Sequence, residues 1–144
     1  MTDRRDRFRD DAEVEEVVRR FESCELPPED FNHREHLVVA LCYLLRAGDA
    51  EALELVRAGI GRYVAAHGIN PGLYHETITL FWLKRVRAYA WRAGAGASLA
   101  ELANGLTAGC GGSRLIHDYY SKELLDSAEA RRGWRDPDLR PLGF

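Results

Sequence analysis

Apolar residues three and four apart run through most of the chain, and no stretch alternates apolar with polar in the two-residue period of a strand. Val14, Val17, Val18 and Phe21 set a first helical stripe over residues 11–24, which Pro27 and Pro28 end. Asn32 with Glu35 three residues on reads as a capping box. It opens a second helix bearing Leu37, Leu41, Leu44 and Leu45, closed by Gly48. Asp49 caps a third, with Leu53, Val56, Ile60 and Val64 on one face, stopping at Gly68. Asn70 and Pro71 supply a cap and a first-turn proline for a fourth, which carries Ile78, Trp82, Val86 and Tyr89 to about Arg92. Ser98 and Glu101 box the start of a short fifth helix, which Gly109, Gly111 and Gly112 break. A last helical stretch is expected from Ser113 to Arg132, interrupted near Ser121, before a tail with Pro137 and Pro141 that lies extended over the bundle. The fold class is all-α: a single-domain bundle of about five to six helices with up-down connections in its core.

With 144 residues the chain is the length of one domain. Residues 1–10 have almost no apolar content and are expected to fray, leaving 11–144 as the folded unit. The net charge is −3, with 11 acidic and 6 basic residues in the first 30 and a slight basic excess after them. That balance argues against a dedicated nucleic-acid binder. No apolar run nears the roughly 20 residues needed to cross a bilayer, and Met1–Asp11 has no signal-peptide core, so a cytoplasmic location is expected. Three scattered cysteines without a CxxC pair suggest neither a disulfide framework nor a cysteine zinc site.

Five histidines carry the functional signal. His33 and His36 sit in the first turn of the second helix, and His75 with Glu76 in that of the fourth. If helices two, three and four run up, down and up, both first turns lie at one end of the bundle, and the last turn of the third brings His67 there. His33 extends the line Leu37, Leu41 and Leu44, and His75 extends Ile78, Thr79, Trp82 and Val86. Helix N-termini disfavour imidazolium, so these rings are expected to be neutral and able to bind metal. His33, His36 and His75 are the candidate ligands, and Glu76 the candidate fourth ligand or catalytic base. Such a donor set suits one divalent transition metal ion: zinc, iron, nickel or copper. Tyr74, Thr79, Trp82 and His67 are candidate pocket residues. Spacing alone leaves open whether His67, Glu35 or His117 joins the site. Glu35 already has a role in the capping box, and a His-Gly helix end is itself a termination signal.

Phe31-Asn-His-Arg-Glu-His-Leu37, Tyr74-His-Glu-Thr-Ile-Thr79 and Tyr119-Tyr-Ser-Lys-Glu-Leu-Leu125 resemble signature stretches of an uncharacterised family of small bacterial proteins. The resemblance runs from Phe31 to the Pro137–Leu142 tail. It implies that the F-x-H-x-x-H and Y-H-E-T segments belong together, and it brings no activity.

Two function classes stay open at this point, with a third beside them. The first is a metal-dependent enzyme acting on a small organic molecule at a mononuclear histidine site. The second is a non-catalytic module holding a small ligand in a histidine-lined pocket. The third is an interaction protein whose partner is a second copy of itself, as a homodimer. Gly109-Cys110-Gly111-Gly112-Ser113 has neither the preceding strand nor the lysine of a phosphate loop and reads as a helix break. Asp138 and Arg140 are expected to pin the tail.

Overall fold

In the computed structural model, which describes residues 7–110 and 112–144, seven α-helices and three 3-10 turns follow one another without a strand among the described residues. Five helices are long: α1 (Asp11–Glu22), α2 (His33–Ala47), α3 (Asp49–Ala66), α4 (Glu76–Ala93) and α5 (Leu99–Gly109). Two are short: α6 (Lys122–Leu125) and α7 (Ala128–Arg132). The 3-10 turns are Pro28–Asp30, Pro71–Leu73 and Leu115–Asp118. No helix among the described residues is long and apolar enough to cross a membrane.

The all-α reading holds, and α2 is its axis. Every residue from Leu37 to Tyr43 is buried, so this helix is apolar around its full circumference, as a helix packed on all sides must be. It packs against α1, α3, α4 and α5. Gly48 alone joins it to α3, at φ +82, a conformation strained for any residue with a Cβ. On α3, Gly59 lets the Phe21 ring lie against the helix backbone, since a Cβ there would come within 2.6 Å of the ring. Val14, Val18 and Phe21 of α1 and Leu102, Ala103 and Leu106 of α5 complete this main core.

A second, smaller core forms where α4 meets the C-terminal segments: Phe81, Ile116, Tyr119, Tyr120 and Leu125, with Trp134, Leu142 and Phe144 packed on it. Thr77 ties it together from a fully buried position. Its hydroxyl lies 2.7 and 2.8 Å from the carbonyls of Ala130 and Gly133 and accepts from the Arg135 N–H at 3.2 Å. Asp138 and Arg140 do pin the tail. The Asp138 carboxylate accepts from the Ser121 N–H (2.8 Å) and hydroxyl (2.5 Å), and the Arg140 guanidinium lies over the Tyr119 ring at 4.5 Å.

Three expectations are corrected. The stretch 113–132 breaks near Ser121 as expected, but its first part is only the 3-10 turn Leu115–Asp118 and it breaks again at Ser127: Ser121 and Ser127 each cap a short helix, accepting from the N–H groups of Leu124 and Ala130. Asn70 and Pro71 open only a 3-10 turn; the chain then runs extended through Tyr74 and His75, and α4 starts at Glu76. Of the segment expected to fray, residues 1–6 lie outside the described residues, but Phe8 is buried. The Asn104 amide clamps the Phe8 backbone, accepting from its N–H and donating to its carbonyl at 2.8 Å each, and the Arg34 guanidinium covers its ring at 4.2 Å. Asn104→Ala removes both clamping bonds and is expected to cost about 1–2 kcal/mol, read as a lower urea midpoint at unchanged slope.

Candidate functional site

The apolar faces predicted from spacing converge on a cavity of about 410 Å3 at the end of the bundle where α2 and α4 begin. Leu37 of α2, Val56 and Ile60 of α3, and Ile78 and Trp82 of α4 form much of its wall, with Phe21 and Phe31 closing one side. Into this apolar surface project His33, His36, Thr79, Ser113 and His117, and among the described residues no Asp, Glu, Lys or Arg lines it.

Each polar group is held by its own local structure. His33 and His36 belong to the first turn of α2, whose start is fixed by the expected capping box. The Glu35 carboxylate accepts from the Asn32 N–H at 3.0 Å and also from the Arg34 guanidinium at 3.0 Å. His33 meets the Trp82 indole edge-on, with ring centroids 4.5 Å apart. The His36 ring stacks on Phe31, with centroids 3.9 Å apart, and its Nδ1 lies 2.8 Å from the Asn32 carbonyl. A carbonyl only accepts, so Nδ1 carries the proton and Nε2 the lone pair. His36 is solvent-accessible at the cavity wall, yet the protein around it still desolvates the ring enough to lower its pKa below the usual imidazole value, against the opposing pull of the Asn32 carbonyl. The Thr79 hydroxyl donates to the His75 carbonyl at 2.9 Å, which leaves its oxygen as an acceptor.

His75 does not reach the cavity. Because α4 starts at Glu76, His75 is its cap rather than part of its inner face: Nδ1 accepts from the Ile78 N–H at 3.2 Å, and Nε2 donates to the Leu125 carbonyl at 2.7 Å. Both ring nitrogens are spent inside the protein, so the trio His33, His36 and His75 is not assembled. Among the described residues no group of three or more His, Cys, Asp or Glu side chains is arranged to hold a metal ion.

Glu76 is likewise committed elsewhere. Arg57 of α3 binds both of its carboxylate oxygens, and the Tyr74 hydroxyl donates to Oε1 at 2.5 Å. The guanidinium holds the Glu76 carboxyl below the ordinary value despite the opposing effect of burial, and burial first of all pushes the Tyr74 phenol up to about 12. A carboxylate so stabilised is a poor base. Glu76→Gln is expected to cost about 1–2 kcal/mol at pH 7, less than the 3–5 of a fully buried pair, since the Arg57 side chain is 39% exposed. Because the folded-state pKa lies below the ordinary glutamate value of 4.5, this contribution is present above about pH 4.5 and disappears as pH falls through the lowered value. Urea curves of both proteins at pH 7 and pH 3 should show the gap closing.

His67 also turns away from the cavity: it caps the end of α3, packs on Tyr63 with ring centroids 4.4 Å apart, and binds the Cys24 carbonyl through Nε2 at 2.9 Å. Of the predicted site residues, the structure therefore brings together His33, His36, Thr79 and Trp82, and it leaves out His75, Glu76, Tyr74 and His67.

No family model, curated protein or solved structure matches this chain. What the cavity holds is argued from its walls. His117, whose place spacing left open, is a wall residue. It reaches the cavity from the 3-10 turn Leu115–Asp118, in the part of the last helical stretch expected before its break near Ser121. The available signal was the pair of serine caps at 121 and 127, six residues apart, which leave no room for a long helix.

Proposed function

We propose that this protein is a small-molecule-binding module whose ligand occupies the cavity beside the first turns of α2 and α4. The observation that supports the reading is one space of about 410 Å3 with apolar and aromatic walls and a few convergent polar groups. That is the size and chemistry of small-molecule sites in general. The helix starts give these polar groups fixed positions, so a ligand would not have to order them.

The test is a fragment titration followed by NMR. Binding should move the Trp82 indole signal and the ring signals of His33, His36 and His117. Ile60→Phe, which fills part of the cavity, should weaken the best fragment at least tenfold while leaving the melting temperature within a few degrees. Fragments that bind without moving those signals, or that ignore the Ile60 substitution, would place binding elsewhere and overturn the proposal.

A further inference from the structure

Resting on the reading of the cavity as a ligand site, its polar groups narrow the chemistry of the ligand. Three features decide the class. First, no side chain with a permanent charge lines the cavity among the described residues, so a carboxylate or phosphate would be desolvated there without a counterion from them.

Second, the helix starts at this end do not offer an anion site. An uncapped first turn attracts anions through its unpaired N–H groups. Here Glu35 occupies the start of α2, and His75 Nδ1 takes the Ile78 N–H at the start of α4.

Third, the two wall groups whose proton positions are fixed by their partners both present acceptors. His36 spends its Nδ1 proton on the Asn32 carbonyl, which leaves Nε2 as an acceptor, and among the described residues Nε2 makes no hydrogen bond to protein. Thr79 spends its hydroxyl proton on the His75 carbonyl. A ligand group that itself only accepts would leave these lone pairs unmatched. A donor satisfies them. The surrounding walls favour a flat partner, because Phe21, Phe31, Trp82 and the imidazoles present ring faces and edges on several sides.

We infer that the cavity takes a neutral aromatic molecule bearing a hydrogen-bond donor, a phenolic hydroxyl or a ring N–H, with His36 Nε2 as the acceptor that selects it. His36 is thus the specificity-determining residue, held in the donor-seeking tautomer by its own helix cap. Carboxylates of the same shape are rejected.

The experiment compares three probes of one shape on the full chain by calorimetry or NMR: 4-ethylphenol, its methyl ether and 4-ethylbenzoate. The phenol should bind about tenfold tighter than the ether, the effect of one hydrogen bond to an otherwise unpaired acceptor, and the carboxylate should bind weakest. His36→Phe keeps a ring to stack on Phe31 but removes the acceptor, so the phenol-to-ether ratio should collapse toward one. Carboxylate binding as tight as the phenol, or a ratio that survives His36→Phe, overturns the inference. If all three probes fail while other fragments move the cavity signals, the inference falls and the binding-module reading stands. If no fragment binds there, both fall.

Discussion

Replacing Phe81 with alanine will lower the stability of this protein by about 3–5 kcal/mol, the range for a buried aromatic truncated in a packed core. Phe81 is fully buried at the centre of the second core. Its ring meets Trp82 at 5.0 Å, Tyr119 at 5.6 Å, Phe144 at 5.7 Å and Tyr120 at 6.2 Å between centroids. Its partners come from α4, from the segment that follows the Leu115–Asp118 turn and from the C-terminal tail. Against a total stability of about 5–15 kcal/mol for a domain of this kind, the loss is a fifth or more. A urea titration reads it directly. A second readout is local: Ile116 belongs to this cluster and lies next to His117 at the cavity wall, so amide exchange over residues 115–125 should accelerate most. Phe81→Leu, which keeps much of the volume, should cost clearly less. Equal losses for the two variants, or exchange that accelerates evenly across the chain, would mean the C-terminal segments are not held by this ring.

How much of this was legible in the sequence depends on whether a feature is set by local spacing. Leu37, Val56, Ile60, Ile78 and Trp82 border the cavity as their positions on helical faces require, and the Asn32–Glu35 box formed where it was read. Both are consequences of the backbone period. Glu76 is different, because what removes it from the site is Arg57, 19 residues earlier on another helix, and no pattern around residue 76 announces that partner. Phe8 is similar: an isolated apolar residue among charges has no period, and its clamp, Asn104, lies 96 residues away. His75 was misplaced for a third reason, the exact start of an element. Moving the start of α4 from Pro71 to Glu76 takes His75 off the inner face and makes it a cap. Proline is as favourable at the head of a 3-10 turn as at the first position of an α-helix, so the residue that suggested the boundary does not separate the two.

His75→Ala therefore tests the reassignment, and it carries the second large effect. Two losses combine: the cap on the Ile78 N–H, about 0.5–2 kcal/mol, and the donor to the buried Leu125 carbonyl, about 1–3 kcal/mol when a buried acceptor is left unpaired. Together they come to about 1.5–5 kcal/mol. His75→Asn separates the parts, because asparagine is a good helix cap but is too short to reach Leu125, so it should recover roughly the capping share. The same bond joins α4 to α6, so the variant should also loosen the segment that carries Leu125 into the cavity wall. A metal ligand would behave otherwise. Its removal would cost stability only while metal is bound, by the amount that binding adds to the native state. The melting temperatures of the parent and His75→Ala, each measured with and without a strong chelator, decide between the two roles. The structural role gives the same difference in both conditions. A difference that vanishes in chelator would return His75 to a metal site.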